Sequence, residues 1–171
     1  AVGEDPPRLV RGDVWRSWLR YADERGGLGF PRVEEHRDRR GTVLQDFEHG
    51  TIYLREGRAI PTVADIADVP RRLGGQFGPL GYPTSTQRAV GDRLVQPFDG
   101  GEVWWSQATG AAAITQPFLQ AYHDRGGADG SLGLPTEEVR RLGAGAMQKF
   151  EGGALYRPDA DAVIRATTAG V

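Results

Sequence analysis

The sequence predicts an α+β protein of three tandem repeats of about 52 residues, each made of a helix, a Gly-Gly loop, an L-G-x-P turn and a β-hairpin. Three observations predict it. The tetrapeptides Leu28-Gly29-Phe30-Pro31, Leu80-Gly81-Tyr82-Pro83 and Leu132-Gly133-Leu134-Pro135 recur at a spacing of 52 residues. Downstream of each, the pattern Q-x-F-x-x-G-x-aliphatic-aromatic appears three times: Gln45, Phe47 and Tyr53; Gln96, Phe98 and Trp104; Gln148, Phe150 and Tyr156. Upstream of each stands a glycine pair, at 26–27, 74–75 and 126–127, with a shorter loop in the first copy. Landmarks kept in fixed order mark a repeat architecture, in which units too small to bury their own apolar face cover one another.

The elements follow in chain order. Val10, Val14, Trp15, Trp18, Leu19 and Ala22 fall at helical spacing, and Phe118, Leu119 and Tyr122 repeat a shorter version after Pro117, which suits a first helical turn. The glycine pairs supply a left-handed helix stop. In the second copy Pro61 can open a helix, and Pro70 is expected to cut it before Leu73. In the tetrapeptide the residue before proline is pushed into extended geometry, glycine permits a tight approach, and the apolar residues anchor a buried turn. Leu44–Phe47 and Thr51–Leu54 read as strands joined through His49-Gly50, with Gly100-Gly101 and Gly152-Gly153 in the same place later. Val33–Arg37 or Glu138–Leu142 offers a third short strand.

The repeats are expected at 9–58, 59–111 and 112–162 within a single domain spanning 1–171, with 163–171 as a C-terminal tail. Val163-Ile164 resembles the Ala113-Ile114 that leads into the third helix. The tail either packs against Leu9-Val10 to close the structure or is the cut end of a longer array.

Composition narrows the function. With 21 basic and 23 acidic residues and a net charge of −2, no field of one sign covers the surface, which demotes nucleic acid and anionic membrane as partners. Zero cysteine removes disulfides, thiolate metal sites and cysteine nucleophiles. No run approaches the roughly 18 apolar residues of a membrane span. The N-terminal AVGEDPPRLV lacks the basic and apolar regions of a signal peptide, so any export signal lies outside this sequence.

Catalytic signatures are sparse. Ser17, Ser85, Ser106 and Ser131 lack a G-x-S-x-G elbow, and His36, His49 and His123 lack metal-ligand spacing, so no metal and no cofactor is expected. Gly-rich phosphate loops are absent, because the glycine pairs follow a helix instead of joining strand to helix. The pairs Glu34-Glu35 and Glu137-Glu138 could serve as a glycosidase acid and base, but adjacent strand residues point to opposite faces. Solvated or turn-capping carboxylates are the simpler account.

Binding residues are easier to name. Sugar recognition sets aromatic faces against C–H patches, with charged groups on the hydroxyls, and repeated weak sites gain through avidity. Tyr53, Trp104 and Tyr156 share one repeated position, where core packing is the simpler reading and ligand contact the alternative. Trp105 follows where the other copies have Leu54 and Arg157, so it stands apart from the pattern. Glu48, Asp99 and Glu151 at the hairpin tips, with Arg55 and Arg157 beyond, would form an exposed rim of hydroxyl readers. Gln45, Gln96 and Gln148 are expected to bond backbone of a neighbouring unit, since a buried polar group must be paired.

These residues, with FDGGEVWWSQATGAAAI and FEGGALY downstream of the tetrapeptides, resemble the LGFP repeat family of actinobacterial cell-envelope proteins. The similarity covers nearly the whole chain, and the second copy follows the motif most closely through Trp105, Ser106, Gly110 and Ala111. The first copy departs with His49 in place of a glycine, and the third lacks the aromatic and breaks at Arg157-Pro158. The resemblance implies a secreted, non-catalytic module in the cell wall, often appended to mycoloyltransferases or wall hydrolases, with arabinogalactan or another wall polysaccharide as partner. It also implies packing around a pseudo-symmetry axis, in a ring- or propeller-like array. A protein–protein assembly module of the envelope is the second reading, and it predicts apolar patches at the ends of the array. A small wall-active hydrolase is the third.

Overall fold

A computed structural model describes residues 8–22 and 27–168. The chain divides into two compact units, residues 1–67 and 68–171, the second holding two of the repeats. The class is α+β, with three four-stranded antiparallel sheets in tandem. Every sheet pairs only within itself, and no closed ring or propeller is detected among the described residues.

In the first unit, α1 (Gly12–Ala22) is followed by β1 (His36–Arg37), β2 (Val43–Phe47), β3 (Gly50–Arg55) and β4 (Arg58–Val63), hydrogen-bonded in the order β1-β2-β3-β4. Val14 from the helix joins Leu28, Phe47, Ile52 and Val63 in the core, with Val10 and Trp18 packed against it. α2 (Ala64–Arg72) begins in this unit and ends in the next.

The second unit continues with β5 (Arg88–Val90), β6 (Arg93–Phe98), β7 (Gly101–Ser106) and β8 (Gly110–Thr115) in one sheet. After α3 (Phe118–His123) come β9 (Arg140–Leu142), β10 (Gly145–Phe150), β11 (Gly153–Arg157) and β12 (Arg165–Thr168). One core joins the two: Val95, Trp104 and Ile114 of the earlier sheet meet Phe118 and Tyr122 of α3 and Leu134, Phe150 and Leu155 of the later repeat. The ring of Tyr122 stacks on Phe150 at 5.3 Å between centroids. Mutual burial of neighbours, expected from repeat size, holds between these two copies.

Several elements differ from the sequence expectation. The hairpin turns are Glu48-His49, Asp99-Gly100 and Glu151-Gly152, because Phe47 pairs with Gly50, Phe98 with Gly101 and Phe150 with Gly153. Gly50, Gly101 and Gly153 therefore open the second strand of each hairpin. A Cβ there would lie 2.2 Å from the Thr62 carbonyl, 2.2 Å from that of Ile114 and 1.9 Å from that of Thr167. The glycines are needed for the approach of a fourth strand.

That fourth strand, β4, β8 or β12, is the element missed from the sequence. Pro61 lies in β4 opposite Ile52 instead of opening a helix. β4 is the outermost strand of its sheet, where a missing N–H costs no ladder bond. Pro70 sits inside α2, which ends at Arg72, before Leu73, as the proline leads one to expect, and the Leu73 N–H donates to the Val69 carbonyl at 3.1 Å. Burial of Ile66, Val69 and Pro70 offsets the roughly 3 kcal/mol of an interior proline. The tail is also part of the fold, as Arg165–Thr168 completes the third sheet.

The glycine-pair stops take positive φ, 97° and 65° at Gly74 and Gly75 and 90° and 59° at Gly126 and Gly127. Each leads into a 3-10 turn, Gly75–Phe77 or Gly127–Asp129. In the first copy Gly26 lies outside the described residues.

Candidate functional site

The L-G-x-P turn is fixed by the hairpin that follows it. Gly29, Gly81 and Gly133 adopt φ of 70°, 71° and 66°, a left-handed conformation that glycine alone takes without strain. Leu28, Leu80 and Leu132 are buried, and Pro31, Pro83 and Pro135 bridge to Phe47, Phe98 and Phe150. An acidic residue of the hairpin turn then clamps the turn's backbone. The Phe30 N–H donates to Glu48 Oε2 at 2.9 Å, the Tyr82 N–H to Asp99 Oδ2 at 3.3 Å, and the Leu134 N–H to Glu151 Oε2 at 2.7 Å. Glu48, Asp99 and Glu151 are thus exposed, as a rim requires, yet each commits one oxygen to its own repeat.

The glutamines anchor the strands. Gln45 donates through Nε2 to the carbonyls of Leu9 (3.1 Å) and Val33 (2.9 Å), and Gln96 donates to that of Ser85 at 2.9 Å. Gln148 donates to the carbonyls of Glu137 at 2.9 Å and Ala113 at 2.6 Å, and Ala113 belongs to β8 of the preceding sheet. Here the amide bonds the backbone of a neighbouring sheet.

The aromatic candidates separate by strand alternation. Tyr53 and Trp104 are buried in the core, and the Trp104 Nε1–H donates to Glu102 Oε1 at 2.8 Å. Trp105 lies on the opposite face of β7, half-buried. Tyr156, at the repeated position of Tyr53 and Trp104, is half-buried. Arg55 and Arg157 are half-buried as well, and Arg157 Nη1 donates to the Ala160 carbonyl at 2.9 Å.

One open cavity of about 530 Å³ lies in the second unit, lined by Asp92, Arg93, Ser106, Gln107, Leu134 and Glu151. Its floor is where the turn between β7 and β8 meets the L-G-x-P turn of the next repeat. Ser106 Oγ is engaged in holding that turn, accepting from the Thr109 N–H at 3.1 Å. Arg93 ties the two repeats together: Nη1 donates to the Ala128 carbonyl at 2.7 Å, and Nη2 pairs with Asp129. The bond to Asp129 raises the guanidinium pKa above its ordinary value, so the charge is permanent. Of the sequence candidates, the cavity includes Glu151. Sequence reasoning missed Arg93, although it breaks the repeat, with Thr42 and Gly145 at the same place in the other copies.

Catalytic geometry was sought in the same residues. His123 Nε2 lies 3.2 Å from Glu102 Oε1, and no serine bonds a histidine among the described residues. No group of three or more potential ligands could hold a metal ion among them either. Glu137 lies 2.9 Å from Lys149, and this bond with the attraction of Arg140 holds its carboxyl below the usual range. Glu138 pairs with Arg72. The burial of Tyr122 pushes its phenol far up, leaving it neutral. No helix among the described residues is long and apolar enough to cross a membrane.

Comparison with known families matches residues 80–130 to the LGFP repeat, a non-catalytic repeat. No curated protein matches the chain.

Proposed function

From the LGFP repeat that this chain carries at residues 80–130, a module generally associated with the cell envelope, we propose a non-catalytic cell-wall-binding module that recognises envelope polysaccharide and tethers a partner domain. Arabinogalactan or a related glycan is the proposed ligand. The observation that carries the reading is the inter-repeat groove. Its volume of about 530 Å³ falls within the ~300–1,000 Å³ of small-molecule sites.

The groove offers chemistry suited to hydroxyls: the Gln107 amide as donor and acceptor, Glu151 as acceptor and Arg93 as fixed cation. Neutral sugars need many such polar contacts and no strong field, in keeping with a net charge of −2. Outside the groove, Trp105 and Tyr156 are half-buried and are proposed as further aromatic contacts, with Arg157 next to Tyr156 in sequence. Trp104 and Tyr53 are buried in the cores of their own units instead.

Retention on isolated arabinogalactan tests the proposal. The chain is expected to be held, and Gln107→Ala and Trp105→Ala are each expected to weaken retention about tenfold, the loss of one good contact worth ~1.4 kcal/mol. Retention unchanged in both variants would place the site elsewhere.

A further inference from the structure

The LGFP repeat takes its name from a motif whose third residue is treated differently across this chain. Phe30 is 71% exposed, whereas Tyr82 is 5% and Leu134 1% exposed. Leu134 shares a core with Val95, Trp104 and Ile114 of the preceding sheet, and it lines a cavity with Asp92-Arg93 and Ser106–Ala108. The same contrast runs through the rest of the surface. Among the described residues the exposed large apolar side chains are Leu9, Trp15, Leu19, Phe30 and Val33 at the first repeat, and Leu142 and Val163 at the third. The middle repeat has none.

The junction inside the second unit also shows what covers such a face. Gln148 reaches Ala113 on β8, which is paired with Val103 of β7. Gln45 makes the matching bond to Leu9, but Leu9 belongs to no sheet. Leu9-Val10 therefore takes the place of Ala113-Ile114, with no strand paired to it among the described residues. At the far end Ala166-Thr167 occupies that place on β12, paired with β11 and exposed along its whole length. Val10 packs against its core as a partly buried residue, and Ile114 is fully buried, whereas Thr167 is exposed.

We propose that the chain associates head to tail with a second copy, the third sheet of one covering the Phe30 face of the next. Leu9-Val10 then completes the neighbour's sheet along β11 in place of Ala166-Thr167, as Ala113-Ile114 completes the sheet beside Leu134. β12 buries no side chain, so its displacement sacrifices little, and Leu9-Val10 gains the apolar contacts that Ala166-Thr167 lacks. Asp159 holds the position of Gln107 on the third repeat, and as Gln107 shares a cavity with Leu134, in the assembled junction Asp159 comes over the Phe30 turn, two residues from the exposed Arg32. A heterologous contact of this kind adds copies in one direction.

Because the chain contains no cysteine, the geometry can be trapped. Full-length Arg32→Cys and Asp159→Cys chains, mixed under mild oxidation, are expected to yield a mixed disulfide dimer several-fold in excess of either homodimer. Sedimentation of the unmodified chain is expected to show mass rising with concentration, weakened at least tenfold by Phe30→Ser with the monomer's melting temperature unchanged. A strict monomer at millimolar concentration would overturn the proposal, and so would disulfides between two Arg32→Cys chains alone. Glycan retention by an obligate monomer would leave the wall-binding reading intact while refuting this one.

Discussion

At the scale of single residues the repeat works by placing one charged or polar group against backbone that the fold has left unpaired. The left-handed turn at Gly133 exposes the Leu134 N–H, and Glu151 accepts from it at 2.7 Å. Glu48 and Asp99 do the same for Phe30 and Tyr82. A charged acceptor on a backbone donor contributes about 1.5–3 kcal/mol in general, more than an exposed ion pair. Glu137 illustrates the ion pairs: Lys149 lowers its pKa, so the carboxylate form is favoured in the folded state. A depressed carboxyl contributes stability above its unfolded pKa and loses it as pH falls through the folded value. NMR titration is expected to place the Glu137 midpoint below the ~4.3 of an unperturbed glutamate, and Lys149→Met to return it toward that value. No change on removing Lys149 would show that the pair does not operate in solution.

At the scale of elements the junction between the second and third repeats is the unit of stability. The Gln148 amide bonds both its own repeat and β8. Gln148→Leu keeps the volume but leaves the Ala113 and Glu137 carbonyls without this donor, which costs about 1–3 kcal/mol. Denaturant unfolding of the variant should show a lower midpoint at similar slope. An unchanged midpoint would assign the junction to apolar packing alone. This residue was readable from sequence because a glutamine recurring in an apolar hairpin needs a buried partner. The fourth strand was not readable. Arg58–Val63 contains Pro61, and Gly110–Thr115 is alanine-rich, so neither carries the alternation of a strand. Their fold is set by Gly50 and Gly101, which admit a neighbouring backbone at distances a Cβ forbids. Helix α2 was misread at its start, where Pro61 lies in β4 opposite Ile52 instead of opening the helix.

At the scale of the whole molecule three copies of one pattern have diverged in what they leave exposed. The repeat, its L-G-x-P turns and its hairpins were legible because they recur, whereas the groove was legible only in part. Glu151 stood in a repeated position, but Arg93, Gln107 and Ser106 line the groove from across a junction that no single repeat contains. Repetition also separated Trp104, at a shared position read as core, from Trp105, which stands apart from the pattern, and strand alternation places the two on opposite faces. On the proposed reading, divergence at the junction turns a structural array into a recognition surface. The most direct test of that claim is chemical-shift mapping of the isotope-labelled chain with soluble arabinogalactan fragments. Saturable shifts clustered at Arg93, Gln107 and Glu151 are the predicted result, and shifts absent, or confined to residues remote from this groove, would contradict the account.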